Sequence, residues 1–387
     1  MDGDITAYTQ FKYDTSYGGY PALVRISDTQ FFQAFLGSGT DGYAEVFDIG
    51  NATVGAITSA ATRLKFDDTN DKNNQAHEVE AGKIFVSWNR TAILNDAYAQ
   101  VFSIDGSDVV TGVGSPLNYS TEVYVSAEDG QNAAVQLSAY KYVMAYWNST
   151  DTQGKITLLD VDSGTFAVTA IGSEGTFDSG GSCKYISGQM ISATHFILFW
   201  MKSTTAMVAR CFSIDLATGV VTALDSEVEF EEANAGNQYI DSARVDASTM
   251  VAVWYSGTDT RGHARTFNID GSYVVTMDTE YNITSSAAGG KRATICMYDT
   301  DKAFVAWQDA SNHAWCRAIN IGSSSISTIS ARDVRFYLYS FLDTPRVIKV
   351  ADYRVVCSWK GLSADGTLQA FDIENAGTVS TFKPQII

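Results

Sequence analysis

The chain has 387 residues and is acidic, with 26 Lys and Arg against 44 Asp and Glu and a net charge of −18. This balance disfavours binding to nucleic acid, and no apolar stretch reaches the roughly 18 residues of a transmembrane helix, so membrane insertion is not expected. Residues 1–6 do not resemble the start of a Sec signal peptide. We therefore expect a protein that is cytoplasmic as synthesised and reaches a virion or an extracellular surface without such a signal.

Aromatic residues recur along the chain every 52 to 59 residues, and each closes a short apolar run, as in residues 303–307 (AFVAW). A period near 50 residues indicates a repeat architecture. Regular placement favours packing between repeats over sugar-stacking platforms for these rings. The repeating aromatics are Phe35, Trp88, Trp147, Trp200, Trp254, Trp307 and Trp359.

Four strand-like segments recur in chain order within each repeat. The first is rich in small residues, as in residues 242–245, which suits a strand near a central axis, and the second is the apolar run. The third alternates and ends in a signature such as residues 267–269 (FNI), and the fourth opens with Val-Thr, as at residues 275–276. Seven such units predict one all-β domain, a seven-bladed β-propeller with four antiparallel strands per blade, with a β-solenoid as the structural alternative.

The two ends of the chain are predicted to complete one blade together. Residues 5–15 resemble the fourth-type segment 57–69, and residues 378–382 resemble the start of another. Strands from both termini would then close the last blade and remove its open edge. The approximate blades are 14–66, 67–119, 120–177, 178–230, 231–283, 284–336, and 337–387 together with 1–13.

Catalytic motifs are absent from the sequence. The four histidines show no metal-binding spacing, and there is no nucleophile elbow, P-loop or dinucleotide fingerprint. A glycosidase needs two carboxylates facing each other across a pocket, and no such pair can be assigned. The five cysteines lie mostly in apolar segments and are expected as buried free thiols. We assign no catalytic residue and expect a non-enzymatic protein.

Two sets of residues are candidates for ligand binding. His313 and Trp315 lie in the third segment of the sixth repeat and are candidates for surface recognition. Arg25, Arg244 and Arg346 lie in first-type segments near the predicted channel, where arginines bind carboxylate-bearing ligands or pair with local Asp residues.

Clustered carboxylates are candidates for a calcium site, and calcium is the one cofactor considered. Asp67, Asp68 and Asp71 form one cluster, and residues 225–232 carry another. Carboxylate oxygens suit Ca²⁺, but neither cluster has an EF-hand spacing. The alternative is a solvated edge strand that its charge protects against pairing with other sheets.

The unit with a terminal Trp, as in residues 304–307 followed by 319–321, resembles two kinds of seven-bladed propeller. One kind is formed by repeats in structural proteins of phages and marine viruses, and the other is the fucose-binding bacterial propeller lectins. The WD40 signature and the sialidase Asp-box are absent, so no functional residue is carried over from either family.

Three functions follow from these observations. Acidity and a chain devoted to one propeller favour a structural or adhesive protein, such as a capsid-decorating or tail or fibre protein of a virion. Its partners are then other proteins of an assembly or surface glycans. A multivalent lectin and a glycan-active enzyme at the channel mouth remain as alternatives. Dissimilar loops between repeats disfavour the lectin, and the missing motifs disfavour the enzyme.

Overall fold

The computed structural model describes most of the chain. The described ranges are 5–50, 56–69, 71–90, 96–123, 132–148, 150–181, 183–202, 206–232, 238–284, 289–322, 325–329, 333–337, 345–361 and 364–373. Within these ranges the one helical segment is a single 3-10 turn at Ser38–Thr40. No helix there has the length and apolar character needed to cross a membrane.

Seven antiparallel sheets follow one another along the chain, and β1 (Ile5–Ala7) and β2 (Phe11–Asp14) join the last of them. The first three sheets contain β3 (Gly19–Ser27), β4 (Gln30–Leu36), β5 (Gly42–Gly50), β6 (Ala56–Ser59) and β7 (Leu64–Asp67); β8 (Asp71–Glu80), β9 (Lys83–Arg90), β10 (Asp96–Ile104) and β11 (Val110–Ser120); and β12 (Ala133–Ser138), β13 (Lys141–Asn148), β14 (Gln153–Val161) and β15 (Val168–Asp178).

The next four sheets have the same order of strands. They contain β16 (Cys183–Ser192), β17 (His195–Lys202), β18 (Ala206–Ile214), β19 (Val221–Ala223) and β20 (Val228–Glu231); β21 (Gln238–Arg244), β22 (Thr249–Tyr255), β23 (Gly262–Ile269), β24 (Val275–Met277) and β25 (Tyr281–Asn282); β26 (Gly289–Met297), β27 (Lys302–Asp309), β28 (Ala314–Ile321), β29 (Ile326–Thr328) and β30 (Val334–Tyr337); and β31 (Arg346–Ala351), β32 (Arg354–Lys360) and β33 (Gly366–Ile373).

The sheets are the blades of a closed propeller. The first strand of each sheet contacts the first strand of the next sheet, and β31 contacts β3, which closes the ring. The predicted seven-bladed β-propeller is therefore confirmed, and the solenoid alternative is wrong because its first and last repeats would not touch.

In most blades the outermost strand is interrupted, which the sequence periodicity does not reveal. In five sheets the outermost strand is divided into two short strands that pair with the same neighbour, as β19 and β20 both pair with β18. In the other two sheets β11 and β15 are continuous and carry a register shift instead. Such irregularities bend and twist an edge strand, which makes it a poor template for pairing with another chain.

The N-terminal strands close the last blade as predicted. β1 and β2 both pair with β33, with Ile5 opposite Ile373 and Phe11 opposite Leu368. Tyr13, at the end of this segment, is only 3% exposed. Residues 378–382, which are predicted to supply the other half of the clasp, lie outside the described residues.

The hydrophobic core lies between the blades. Its side chains form seven clusters, and each cluster joins residues from two adjacent sheets. Phe199 of one blade and Trp254 of the next, for example, belong to the same cluster. Burying a large apolar side chain stabilises the fold by about 1.5–3 kcal/mol. Because adjacent blades share each cluster, a single blade cannot bury its own core.

The polar middle residue of the third-strand signature bonds to a side chain of the second strand. That residue lies opposite the first residue of the second strand, as Asp372 lies opposite Arg354 and Asp48 lies opposite Gln30. Arg354 donates to both oxygens of Asp372 at 2.6 and 2.9 Å, and Gln30 donates to Asp48 at 2.8 Å. The alternating pattern thus includes a side-chain bond between the second and third strands.

All five cysteines are free thiols, as expected from the sequence. Cys183, Cys211, Cys316 and Cys357 are buried, and Cys296 is partly exposed. Burial raises the pKa of each thiol above its ordinary value. They therefore stay protonated at neutral pH and act as small apolar side chains.

Candidate functional site

The repeating aromatics lie at the interfaces between blades. Trp147 is partly buried, and the other six are buried. Five of the seven meet an aromatic ring from the end of the preceding blade edge to face, with ring centres 4.6 to 5.2 Å apart. The five pairs are Tyr13–Phe35, Phe66–Trp88, Phe177–Trp200, Phe230–Trp254 and Phe336–Trp359. This geometry is favourable for aromatic packing, and the burial of these five repeating rings closes them to a sugar.

Indole nitrogens add a polar bond across the same interfaces. Trp88 Nε1 donates to Asp67 Oδ2 at 2.5 Å, and Trp200 Nε1 donates to Asp178 Oδ2 at 2.8 Å. The other oxygen of Asp67 accepts the backbone N–H of Thr69 at 2.9 Å. One carboxylate therefore caps the turn between two blades and holds the tryptophan of the next blade.

At the first repeat the ring is Phe35, which has no N–H to donate. Asp14 occupies the place of Asp67 there, and Arg63 Nη1 donates to its Oδ2 at 2.9 Å. The Arg63 guanidinium lies 5.7 Å from the centre of the Phe35 ring. Arg63 thus supplies the bond that an indole supplies elsewhere, at the seam where the N-terminal strands close the ring.

The acidic stretch at 225–232 also serves contacts between side chains. Glu231 Oε2 accepts Trp254 Nε1 at 3.0 Å, and its Oε1 accepts Ser256 Oγ at 2.8 Å. Glu227 pairs with Lys202 Nζ at 2.5 Å. Two of its carboxylates therefore bind protein donors.

The side chains of two of the three predicted calcium ligands, Asp67 and Asp68, are described. Asp67 receives Arg90 Nε at 2.6 Å in addition to its bonds with the indole and with Thr69, and Asp68 is exposed. No group of three or more His, Cys, Asp or Glu side chains among the described residues is placed to hold a metal ion. The side chain of Asp71 lies outside the described side chains, so calcium binding stays a prediction.

His313 and Trp315 meet at the carboxylate of Asp309, the last residue of β27. Trp315 Nε1 donates to Asp309 Oδ2 at 2.8 Å, and His313 Nδ1 lies 3.1 Å from the same oxygen. Arg335 lies over the Trp315 ring, 5.8 Å from its centre. The two predicted residues are brought together, with Asp309 and Arg335 as partners that sequence reasoning missed.

Trp315 occupies a position that another blade uses for packing. It lies opposite Trp307 in the hairpin, as Tyr98 lies opposite Trp88. Tyr98 stacks on Trp88 with ring centres 5.8 Å apart. Trp315 is therefore the sixth-blade form of a repeated position, which its sequence context does not reveal.

His263 takes the same position in the fifth blade and is held between two carboxylates. Its Nε2 lies 2.9 Å from Asp259 Oδ1 and its Nδ1 lies 2.6 Å from Glu280 Oε1. Burial acts to lower the pKa of His263, but the hydrogen bonds to Glu280 and Asp259 outweigh burial and raise it. The side chain is 4% exposed, so this group is closed to a substrate.

The three predicted arginines lie at two levels of the central channel. Arg25 and Arg244 occupy equivalent positions near the end of the innermost strand, whereas Arg346 lies three positions earlier in its own strand. Three residues of strand span about 10 Å. Arg25 pairs with Asp28 at an exposed site, while Arg244 and Arg346 line one cavity. The structure thus brings two of the three to a common space.

Among the described residues, two cavities of about 310 and 140 Å³ lie along the channel. Gln75, Asp241 and Arg346 line both, so these side chains stand between the two spaces. The polar and charged side chains on the wall of the larger cavity are Gln75, His77, Asn132, Gln136, Ser187, Gln189, Asp241, Arg244 and Arg346. This cavity is the larger of the two, and its polar and charged wall makes it our candidate binding site.

Asp241 is held mainly by neutral donors of the protein. Its Oδ2 accepts Thr294 Oγ1 at 2.7 Å and the backbone N–H of Ile295 at 3.1 Å. Its Oδ1 accepts the backbone N–H of Ser242 at 3.0 Å. Arg346 Nη1 approaches Oδ1 only to 3.9 Å. The two charges face each other without a direct hydrogen bond.

His77 lines the same cavity in its neutral form. Its Nε2 lies 3.0 Å from the carbonyl oxygen of Ala134 in the next blade, to which it donates. Burial lowers the pKa of His77 to about 4, although the bond to Ala134 acts in the opposite direction. At neutral pH this ring adds no charge to the channel.

Sequence reasoning found the cavity arginines but missed Gln75 and Asp241. A signal was present, because Gln75, Asp241 and Arg346 each lie 13 residues before the repeating aromatic of their own blade. Each also lies opposite the residue just before that aromatic. Aligning the first segments on the aromatic would have placed the three side chains at one level of the channel.

Comparison with known proteins identifies the fold alone. No family model matches the chain, and no curated protein matches it. The BP39L lectin from Burkholderia pseudomallei is similar with a TM-score of 0.64 and 8% identity, over 94% of this chain and 98% of that chain. AofleA from Arthrobotrys oligospora is similar with a TM-score of 0.52 and 11% identity, over 87% and 92%.

An enzyme is also among the similar structures. A variant of the α-L-arabinofuranosidase Arb93A from Fusarium graminearum has a TM-score of 0.50 and 10% identity, over 95% of this chain and 98% of that chain. Identities this low show a shared fold, and one fold supports many functions. The chain is a seven-bladed β-propeller whose solved neighbours include both a lectin and a glycosidase.

Proposed function

We propose that the chain is a non-enzymatic structural or adhesive β-propeller that acts through contacts with other proteins of an assembly or with a host surface. One observation carries the proposal: Asp241 is the only carboxylate on the described walls of the two channel cavities. Glycoside hydrolysis ordinarily uses a pair of carboxylates on either side of the scissile bond. Asp241 is also committed to Thr294 and Ile295.

The use of other acidic side chains supports the same proposal. Asp67, Asp178 and Glu231 bind tryptophans across blade interfaces, which stiffens the ring rather than forming a reactive group. A rigid acidic disc suits a soluble component of a particle. The most specific form of the proposal is a virion surface protein, either capsid-decorating or part of a tail or fibre.

A lectin is the second candidate, and one surface cluster favours it. Trp315, His313 and Asp309 lie together at a hairpin with Arg335 over the indole. An aromatic ring with adjacent polar groups suits the apolar face and the hydroxyls of a sugar. The equivalent position in the fifth blade is the buried His263, so this cluster offers a single site rather than a ring of identical sites.

A glycan array and a panel of chromogenic glycosides distinguish the candidates. The proposal predicts no turnover of any glycoside, with calcium or with a chelator. Turnover that is abolished in Asp241→Asn would contradict it and favour the enzyme. Array binding that is lost in Trp315→Ala but kept in Tyr98→Ala, its counterpart in the second blade, would favour the lectin.

A further inference from the structure

Arg346 has hydrogen-bonding capacity that the surrounding protein does not use. Within the described residues its one polar contact is the 3.9 Å approach to Asp241, which is too long for a hydrogen bond. Its side chain is 24% exposed and lines the larger cavity. A guanidinium has five N–H donors in a fixed planar arrangement, so most of these donors point to solvent or to a ligand.

Asp241 does not need Arg346 as a partner. Three neutral donors already bind its two oxygens at 2.7 to 3.1 Å. A second anion entering the cavity can therefore engage Arg346 without leaving Asp241 unsatisfied. Replacement of a 3.9 Å approach by two direct bonds is favourable, because charge-assisted bidentate bonds are the strongest that a guanidinium makes.

The charge of the cavity favours an anion, although the chain as a whole is acidic. Arg244 Nε donates to the carbonyl of Asp246 at 2.9 Å and its Nη2 to the carbonyl of Ile191 at 3.3 Å. Carbonyl partners hold this guanidinium in place without neutralising it. The wall thus carries two cations, Arg244 and Arg346, against one carboxylate.

The remaining wall suits a ligand with hydroxyl groups. Gln136 donates to the carbonyl of Glu78 at 2.6 Å and Gln189 donates to the carbonyl of Ser242 at 2.8 Å. Within the described residues these bonds use the amide nitrogens and leave the amide oxygens to accept from a ligand. Gln75 lines the same cavity, and its side chain has no hydrogen bond to a described residue.

We propose that the larger channel cavity binds a small hydroxylated monocarboxylate of the sugar-acid class, with its carboxylate on Arg346 and its hydroxyls on the glutamine amides. A volume of about 310 Å³ accommodates a monosaccharide and lies at the lower end of the range for small-molecule pockets. The site lies in the channel, and its proposal does not depend on the proposed structural or adhesive function.

Calorimetric titration of the whole chain tests the site. The probes are D-glucuronate, D-galacturonate and N-acetylneuraminate, with neutral D-glucose as the matched comparison. At least one sugar acid is expected to bind saturably and D-glucose is not. Arg346→Gln is expected to weaken that binding tenfold or more, because charged hydrogen bonds contribute about 1.5–3 kcal/mol. Arg25→Gln is the control, since Arg25 pairs with Asp28 outside the cavity. The affinity of this variant for the sugar acid should equal that of the parent chain.

Three outcomes would overturn the proposal. They are the absence of saturable binding for all three acids up to about 10 mM, equal binding of glucose, and unchanged affinity in Arg346→Gln. If Arg346→Gln does not fold, Arg346→Lys keeps the charge but not the planar fork. That variant should bind several-fold more weakly than the parent chain, and equal affinity would count against the site.

Discussion

Arg63 and Asp14 form, at the closing seam of the propeller, the bond that tryptophan and aspartate form at other interfaces. Arg63 Nη1 lies 2.9 Å from Asp14 Oδ2, where Trp88 Nε1 lies 2.5 Å from Asp67 Oδ2 one blade later. The absence of an indole at Phe35 is thus matched by an arginine that reaches the same carboxylate. Phe35 and Arg63 therefore go together: because Phe35 has no N–H, Arg63 is the donor to Asp14.

Replacement of Arg63 is predicted to destabilise the seam. Asp14 is 3% exposed, and Arg63→Met leaves it without its cationic partner although backbone N–H groups still bind it. We expect a loss of about 2 kcal/mol in the free energy of unfolding, measured by urea denaturation. Arg25→Met removes an exposed pair and should change stability by less than about 0.5 kcal/mol. Equal effects in the two variants would show that the seam bond has no special role.

The bond between an indole and a carboxylate is predicted to be energetically coupled. Trp200→Phe keeps the ring but removes the donor to Asp178 Oδ2, and Asp178→Asn removes the charge of the acceptor. A double-mutant cycle on these two changes should give a coupling energy of about 1–3 kcal/mol. Additive effects would mean that packing alone holds this interface.

Removal of residues 1–13 is predicted to lower thermal stability sharply. The deletion takes away β1, three of the four residues of β2 and the buried Tyr13 ring. Loss of the buried apolar groups costs on the order of 5 kcal/mol, which corresponds to a fall of roughly 10 °C or more in Tm. Deletion of residues 1–4 is the control, because it leaves both strands in place. An unchanged Tm in the longer deletion would contradict the clasp.

Acid is predicted to destabilise the fold through His77. Burial lowers its pKa to about 4, whereas in the unfolded chain it titrates near 6.5. The unfolded state therefore binds the proton first, so this contribution to stability is complete above pH 6.5 and is lost as pH falls toward 4. Between pH 7 and pH 4.5 the free energy of unfolding of the parent chain should fall by roughly 2 kcal/mol more than that of His77→Gln. Urea denaturation at both pH values measures this difference, and equal losses would contradict it.

The interblade packing was predictable from the sequence because packing constrains residue type. A ring at Trp88 or Trp200 must meet the ring that ends the preceding blade, so both positions recur at a regular spacing. The N-terminal closure followed from the same regularity, since residues 5–15 repeat the fourth-segment pattern. These features depend on the period and need no knowledge of side-chain contacts.

The side chains that line the channel were less predictable, because packing does not constrain their residue types. Gln75, Asp241 and Arg346 occupy one repeated position with three different chemistries, so no motif marks that position. Trp315 is a different case: its neighbours in the sequence indicate a residue found only in the sixth repeat, although its position is a repeated one. Only the hairpin register shows that it shares a position with Tyr98.

The proposed function is tested most directly by quantitative mass spectrometry of fractions from the natural source of the protein. Intact particles, surface material and the free soluble fraction are separated, and the amount of this chain in each is measured. A structural or adhesive protein is predicted to be concentrated in the particle or surface fraction at a fixed ratio to its other components. Recovery of the chain as a free monomer in the soluble fraction alone would contradict the proposal.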